Sequence, residues 1–186
     1  FYIRNKKFKI LKLTDETKPS KHFCDYLIND YPLSINFKET YKEPNKKIIL
    51  FLGLYAFLYS DIILKKTVKK KKYDLLIVFG GKDPNNLGDR YFKILNKIKL
   101  KKIFILNNAL YKKYIKKKDT YNIIKPVKGQ KEFLKILNES KMYISTPSNI
   151  MFEAYSLNIP GIVIPTQNRQ NIMGQTFQKM KIVKSL

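Results

Sequence analysis

Two glycines and several polar residues follow an apolar run in the segment YDLLIVFGGKDPNNLGDRYFKIL, residues 73–95. Gly80 and Gly81 carry no side chain and tolerate positive φ, so the backbone there could approach a ligand closely. Asp83 or Asn85 could cap the helix that the next residues predict, and free N–H groups at a helix start attract anions. The segment is neither a Walker loop nor a dinucleotide-binding GxGxxG motif. It therefore predicts either a phosphate-binding turn or a plain turn between a strand and a helix.

A second polar stretch follows another apolar run, in STPSNIMFEAYSLNIPGIVIP, residues 145–165. Ser148 is a favourable N-cap, which places a helix start near Asn149 and puts Glu153 in the second turn of that helix. A carboxylate near such a helix start could accept hydrogen bonds from two ribose hydroxyls. The simpler alternative for a single helical glutamate is a solvated side chain. Both interpretations of Glu153 remain open from the sequence.

A third polar cluster, TQNRQN at residues 166–171, follows the next apolar run. It contains Asn168 and Gln170, whose amide groups can both donate and accept hydrogen bonds. In an open parallel α/β sheet, ligands bind beyond the carboxyl ends of the strands. Three polar segments that each follow a strand therefore predict one binding edge more strongly than any one of them does.

Short β-rich apolar runs alternate with stretches of helical periodicity from Tyr73 onward. The predicted strands are residues 74–79, 102–106, 121–125, 142–145 and 161–164. Alternation of strands and helices with short connections favours parallel βαβ units, and runs that are apolar throughout are typical of strands buried on both faces. The predicted fold class is therefore α/β, with a doubly wound, Rossmann-like parallel sheet.

The first part of the chain is less regular than the rest. Strand-like runs occupy residues 9–13, 25–29 and 48–52. Residues 31–45, which include Pro32 and Pro44, are typical of a loop. We predict a boundary in this region, with residues 1–31 at the edge of another structure and residues 32–186 in one Rossmann-like unit.

Lysine dominates the charge of the chain. Its 38 lysines and arginines stand against 14 acidic residues, for a net charge of +24. Such a charge is compatible with binding to nucleic acid or to an anionic membrane. Arginine, which bidentate phosphate and base contacts favour, occurs only at Arg4, Arg90 and Arg169. Because the lysines are scattered over most of the chain, a solvated basic surface is favoured over a nucleic-acid-binding domain.

Cysteine and histidine each occur once, as Cys24 and His22. One cysteine allows neither an internal disulfide nor a cysteine metal cluster. No metal site and no cofactor are predicted. His22 is predicted to be a solvent-exposed loop residue. No apolar run is long enough to span a bilayer and no signal-peptide pattern is visible, so a cytoplasmic location is expected. The first residue is Phe1 and not Met, so we expect further sequence upstream.

The order of these motifs resembles the C-terminal lobe of the GT-B nucleotide-sugar enzymes. The shared features are a strand followed by GG-x-D and a helix, then S-x-x-x-x-E-A, N-x-P and a glutamine-containing segment. Two upstream segments resemble the UDP-sugar hydrolases of pseudaminic acid biosynthesis. The segment that joins the two lobes in that family is similar to KILKLTDETKPSKHFCDYLIN, and the segment that follows it is similar to LGLYAFLYSDI. The N-acetylglucosaminyltransferases that form lipid II are similar more distantly. The resemblance covers nearly the whole chain and implies a short remnant of the N-terminal lobe at residues 1–31.

This resemblance implies roles for residues in the first two polar segments. The residues that would lie against the UDP phosphates are Gly80, Gly81, Asp83 and Asn86. Ser148 and Asn149 would lie at a helix start facing the diphosphate. Glu153 would hold the ribose.

The resemblance also implies contacts to the base and to the sugar. The backbone at Pro126 and Val127 would meet the uracil edge. Gln170, with Asn168 beside it, would reach the sugar. Tyr55 would line the cleft between the lobes.

By the same resemblance, the substrate partner is a UDP-sugar that water cleaves to UDP and a free amino-deoxy sugar. The family's water-activating histidine lies in a glycine-rich loop of the N-terminal lobe, and His22 does not match that position. No catalytic residue is therefore assigned, and the chain is expected to need the missing N-terminal lobe for activity. A UDP-sugar glycosyltransferase and a non-catalytic nucleotide-sugar binding module remain alternatives, with no nucleic-acid partner and no membrane span expected.

Overall fold

The computed structural model describes residues 9–16, 18–41, 47–53, 56–57, 70–80, 83, 85–126 and 129–186. The chain divides into two compact units, Phe1–Leu58 and Tyr59–Leu186. Within the described ranges, each unit contains one parallel sheet. The division lies at residues 58 and 59 and not at residue 31, where the sequence predicts it.

The second unit is built on six strands in the order β6-β5-β4-β7-β8-β9, and every neighbouring pair is parallel. The strands are β4 (Tyr73–Val78), β5 (Lys102–Leu106), β6 (Asn122–Pro126), β7 (Ser140–Ser145), β8 (Gly161–Val163) and β9 (Val183–Ser185). The helices are α1 (Leu87–Leu95), α2 (Asn108–Tyr114), α3 (Gln130–Asn138), α4 (Ile150–Ser156) and α5 (Asn168–Lys179). This strand order is that of a doubly wound, Rossmann-like sheet. The predicted fold class is confirmed.

The strands are apolar throughout because both faces of the sheet are buried. One face packs against α1 and α2 through a cluster that includes Leu75, Phe104, Phe92 and Tyr114. Leu76, Ile103 and Tyr143 are completely buried as well, and strand alternation turns them to the other face. Leu134 of α3, Phe152 of α4 and Phe177 of α5 are also buried, and the last two rings are in edge-to-face contact, with centroids 5.1 Å apart.

Gly161 of β8 lies beside the ring of Tyr143 on β7. A Cβ atom at Gly161 would come within 2.2 Å of Cε1 and Cζ of that ring, which is far inside van der Waals contact. The Tyr143 hydroxyl has no hydrogen-bond partner in the described part of the chain, and burial raises the pKa of Tyr143. Only glycine therefore fits at position 161 beside this buried ring.

Two elements of the second unit were not predicted from the sequence. The sequence predicts no helix at the polar cluster of residues 166–171, but α5 begins within it, at Asn168. The helix has few apolar residues in its first turns, so its periodicity is weak. The short edge strand β9 has only three residues, which is too few for a periodic signal.

The described residues of the first unit form three parallel strands, β1 (Leu11–Thr14), β2 (Tyr26–Asn29) and β3 (Ile49–Leu52), in that order. All three strands were predicted. However, β3 pairs with β2 and thus lies in the first sheet, although the predicted boundary would place it in the second unit. A four-residue apolar run predicts a strand but carries no information on which sheet it joins.

One face of this first sheet is apolar and exposed. The register aligns Leu11, Tyr26 and Ile49 in one row and Leu13, Ile28 and Phe51 in the next. Four of these side chains are about half exposed or more, and Tyr26 and Ile28 are partly exposed. The opposite face, which carries Leu27, Leu50 and Leu52, packs in one cluster with Cys24 and Tyr41. Since parallel sheets are normally covered on both faces, this face lacks a layer within the described residues.

No helix among the described residues is long and apolar enough to cross a membrane.

Candidate functional site

The strand order of the second sheet reverses between β4 and β7, since the chain first proceeds to β5 and β6 and then crosses to β7. A doubly wound sheet binds ligands at this switch point, beyond the carboxyl ends of the two strands. Val78 and Ser145, the last residues of β4 and β7, are paired, so the two loops that follow begin side by side. Ser145 also pairs with Val163 at the end of β8. The sheet therefore brings together the three polar segments that the sequence singled out.

The loop after β4 contains Gly80, Asp83 and Asn86 of the predicted site. Gly80 is exposed and has φ +78°, and no atom of the described residues, chain neighbours aside, lies within 4 Å of the place where a Cβ would be. Asn86 is exposed and also has positive φ, at 50°. Among the described residues, nothing fills the space beside Gly80, as close approach of a ligand to the main chain requires.

Asp83 is buried and caps α1. Its Oδ1 accepts a hydrogen bond from the Leu87 N–H at 2.9 Å, and its Oδ2 accepts one from the Gly88 N–H at 2.7 Å. The capping alternative for Asp83 is therefore confirmed. Its carboxylate also places a negative charge at the start of α1, which disfavours a second anion against those same N–H groups.

Asp83→Asn is expected to lower the free energy of unfolding by about 1 kcal/mol, because an amide has one acceptor oxygen for two backbone donors. Asparagine tolerates the left-handed backbone that Asp83 adopts, at φ 39°, so little strain is added. Asp83→Ala, which removes both acceptors, should cost more. Urea titration would measure both values, and equal stability of the wild type and both variants would contradict the capping role.

The loop after β7 contains Ser148 and Asn149. Both are exposed, and α4 begins at Ile150 with no side-chain cap. The Ser148 Oγ donates instead to the Thr146 carbonyl at 3.3 Å, so the prediction that Ser148 caps the helix is wrong. The reason is that a serine hydroxyl can bond within its own turn as readily as to the helix. The first N–H groups of this turn therefore have no side-chain acceptor.

Glu153 lies in the first turn of α4 and is only 7% exposed. The alternative of a solvated glutamate is therefore wrong. Burial raises the pKa of its carboxyl group, and a hydrogen bond from Gln130 opposes that effect in part. This bond is long, with 3.4 Å from Gln130 Nε2 to Glu153 Oε1, and it is the one that the carboxylate accepts from the described residues. A buried carboxylate with so little hydrogen bonding is poised to accept further donors.

Gln130 contacts Glu153 and is not among the residues that the sequence singles out. It begins α3, directly after Gly129 and close to the carboxyl end of β6. The signal that could have identified Gln130 is a glycine followed by a side-chain amide just after a strand. The polar residues after β4, β7 and β8 were found by the same pattern. The contact of Gln130 with Glu153 joins the loop after β6 to the switch point.

Asn168 and Gln170 lie in the first turn of α5. Gln170 Oε1 accepts hydrogen bonds from the Thr166 N–H at 2.9 Å and from the Thr166 hydroxyl at 2.8 Å. Its amide NH₂ group stays available as a donor, whereas Asn168 is exposed. Gly174 lets α5 approach Pro147 of the loop after β7, because a Cβ there would lie 3.3 Å from the Pro147 ring.

His22 of the first unit is almost completely buried, so its prediction as an exposed loop residue is wrong. Its Nε2 lies 2.7 Å from Glu16 Oε1, and Tyr41 donates to the same oxygen at 2.9 Å. Burial of Glu16 would raise its pKa, but the hydrogen bonds from His22, Ser20 and Tyr41 hold it below the ordinary value. The carboxylate of Glu16 thus makes burial of the His22 imidazole favourable. Local sequence does not reveal this partner.

Three residues of the predicted site, Tyr55, Gly81 and Val127, lie outside the described residues. Within the described ranges, no group of three or more histidine, cysteine, aspartate and glutamate side chains could hold a metal ion.

No model of a known protein family matches the chain. An uncharacterised protein of Methanocaldococcus jannaschii is 28% identical over 178 residues, which cover 84% of this chain and 35% of that protein. UDP-2,4-diacetamido-2,4,6-trideoxy-β-L-altropyranose hydrolase of Campylobacter jejuni is 31% identical over 153 residues, which cover 80% of this chain and 54% of the hydrolase. The chain therefore spans between about a third and about half of the length of these relatives.

Solved structures share the fold at low sequence identity. UDP-GlcNAc 2-epimerase from Methanocaldococcus jannaschii has a TM-score of 0.57 at 16% identity, with 88% of this chain and 51% of the epimerase covered. A UDP-glucosyltransferase from Polygonum tinctorium has a TM-score of 0.56 at 12% identity, with 87% and 40% covered. MurG from Acinetobacter baumannii has a TM-score of 0.53 at 12% identity, with 88% and 47% covered. The covered shares correspond to one lobe of each enzyme.

Proposed function

We propose, from the premise that this chain has the fold of the C-terminal lobe of a GT-B nucleotide-sugar enzyme, that its second unit binds the UDP part of a nucleotide sugar. The observation that carries the proposal is Glu153, a buried and weakly hydrogen-bonded carboxylate at the switch point of the sheet. Two ribose hydroxyls could donate to its two oxygens. Charge-assisted hydrogen bonds of this kind would offset the cost of its burial.

The diphosphate is assigned to the turn after β7 and to the backbone at Gly80. The start of α1 is a poorer position, since Asp83 already occupies the N–H groups of Leu87 and Gly88. The turn at Ser148 and Asn149 has no carboxylate cap, so its N–H groups can meet phosphate oxygens. Asn168 and the free NH₂ of Gln170 would face the sugar side.

The full-length protein is proposed to be a UDP-sugar hydrolase that releases UDP and a free amino-deoxy sugar for nonulosonic acid biosynthesis. Support comes from the 31% identity to the Campylobacter jejuni hydrolase. A GT-B glycosyltransferase is a second candidate, because structures of such enzymes share the fold. Analysis of the products would separate the two, since a hydrolase yields free sugar and a transferase yields a glycoside only when acceptor is present.

The base that activates water is proposed to lie in an N-terminal lobe. The relatives are two to three times longer than the matched region. The exposed apolar face of the first sheet, with Leu13 and Phe51 on either side of Ile28, is what a helical layer of such a lobe would cover. Residues 1–58 are therefore proposed to be the end of that lobe, and this chain alone is expected to bind UDP without hydrolysing its sugar esters.

Thermal unfolding of the chain with UDP tests the binding proposal. UDP in hundredfold excess over its dissociation constant should stabilise the chain by about 2.7 kcal/mol, and uridine or inorganic phosphate alone should stabilise it much less. ADP serves as the matched control for the base, because it supplies the same ribose and diphosphate. No stabilisation at millimolar UDP would contradict nucleotide binding altogether.

A further inference from the structure

A second surface of the sheet combines exposed apolar side chains with lysines, and it lies at the edge opposite to the candidate nucleotide site. It consists of residues 94–101, where α1 ends and the chain enters β5, and residues 116–121, where the chain enters β6. We refer to it as the amino-edge surface. Its apolar side chains are Ile94, Ile98, Leu100 and Tyr121, which are 54%, 44%, 42% and 45% exposed.

The two segments of the amino-edge surface are fixed against each other. The buried Lys102 side chain donates to the carbonyls of Ile98 and Leu100, the latter at 2.8 Å. The Lys102 N–H donates to the Tyr121 carbonyl at 2.6 Å, and Asn122 Nδ2 donates to the Asn96 carbonyl at 3.0 Å. The exposed apolar groups are therefore held as one patch by hydrogen bonds to the starts of β5 and β6.

Lysines outnumber acidic groups around this patch. Asp74, which accepts a hydrogen bond from the Lys101 N–H, pairs with Lys141 at 2.7 Å. Lys93 and Lys113 share Asp89, but the six exposed lysines of the surface make no ion pair with any carboxylate among the described residues: Lys97, Lys99, Lys101, Lys116, Lys117 and Lys118. Asp119 is the one acidic residue within the two segments, and it is engaged with Asn122 and the Tyr121 N–H. The patch therefore carries a strong local excess of positive charge.

We propose that the amino-edge surface binds the anionic face of a phospholipid bilayer as a peripheral contact. Apolar side chains that project between lysines fit the boundary between lipid headgroups and acyl chains. There the apolar side chains are buried among the acyl chains, and the lysines are attracted to the anionic headgroups. A patch of isoleucine and leucine gains nothing against a nucleic-acid backbone, and the surface has no arginine for bidentate phosphate contacts. Binding here leaves the carboxyl edge of the sheet free.

Vesicle sedimentation of the full chain tests this inference. Vesicles of phosphatidylcholine and phosphatidylglycerol in equimolar mixture should retain the protein, and vesicles of phosphatidylcholine alone should not. The triple variant Lys97→Glu, Lys99→Glu, Lys101→Glu should bind the anionic vesicles at least about tenfold more weakly. The matched control is Lys131→Glu, Lys135→Glu, Lys179→Glu, which changes the net charge equally at exposed positions on α3 and α5.

The apolar variant Ile98→Ser, Leu100→Ser separates the membrane from other anions. It should weaken vesicle binding severalfold and leave the melting temperature close to that of the wild type, since both side chains are exposed. Equal losses of vesicle binding in the two triple lysine variants would overturn the proposal, because the overall charge of the chain would then account for the binding. Tight binding to a DNA or RNA duplex that the serine variant retains, without binding to anionic vesicles, would overturn it in favour of nucleic acid.

Discussion

Glu153→Gln is expected to weaken UDP binding by about a hundredfold, or about 2.7 kcal/mol, while the chain becomes more stable. Glutamine keeps the shape of the side chain but removes the charge that strengthens hydrogen bonds from two ribose hydroxyls. It also offers one acceptor oxygen in place of two. Isothermal titration of UDP into the wild type and the variant would measure the loss.

The gain in stability has the same physical cause as the loss of binding. Burial raises the pKa of Glu153, so the folded chain carries a cost whenever this group is ionised. Removing that cost should increase the free energy of unfolding at neutral pH by about 1 kcal/mol, and the melting temperature by about 2–4 °C. Since the folded pKa lies above the unfolded one, the wild type regains this stability as the pH falls through the folded pKa. The difference between the two proteins should therefore shrink toward pH of about 4.

Glu132→Gln is the matched control for this prediction. Glu132 is half-buried in α3 and pairs with Lys125 at 2.9 Å, outside the switch-point loops. The same chemical change there should leave UDP affinity unchanged. If Glu153→Gln bound UDP as well as the wild type, the ribose assignment would be wrong, although the fold would be unaffected.

Gly161→Ala is expected to lower the free energy of unfolding by about 3 kcal/mol and the melting temperature by about 10 °C. The added methyl would lie 2.2 Å from ring carbons of Tyr143. Tyr143 is completely buried, and in a close-packed interior a shift of its ring would displace other side chains. Thermal and urea unfolding would measure both quantities.

Two further variants make this prediction specific to the contact with the ring. Gly129→Ala should be nearly neutral, because Gly129 has φ −60° and no atom of the described residues, chain neighbours aside, lies within 4 Å of a Cβ there. Tyr143→Leu should restore part of the stability of Gly161→Ala, so the two substitutions should be strongly non-additive. Additive effects would show that the loss arises elsewhere than at this contact.

Local pattern predicted the elements of the second unit well. The predicted strands at residues 102–106 and 161–164 agree with β5 and β8 to within one residue. Both are apolar runs bounded by turn residues, which is a signal that needs no knowledge of neighbours. Helix α5 was missed because its polar first turn lacks apolar periodicity, although Gln170 was still identified as a polar residue beyond a strand.

The errors concern properties that depend on distant partners. His22 was expected to be exposed, but Glu16 and Tyr41 surround it in a hydrogen-bonded network. Strand β3 was assigned to the wrong unit because its partner β2 is more than twenty residues earlier in the chain. Hydrogen-bond and strand partners are non-local choices, which a local pattern does not encode.

The sequence by itself determined the alternation of strands and helices, and the polar and glycine residues that follow each strand, because both depend on local periodicity and turn chemistry. It did not determine which loops meet. The tertiary structure decided that β4 pairs with β7, which places the loops of Gly80 and Ser148 side by side. It also turned the Glu153 side chain into a buried position next to Gln130. Parallel strands can be neighbours only through long crossovers, so the packing of the whole sheet selects these contacts.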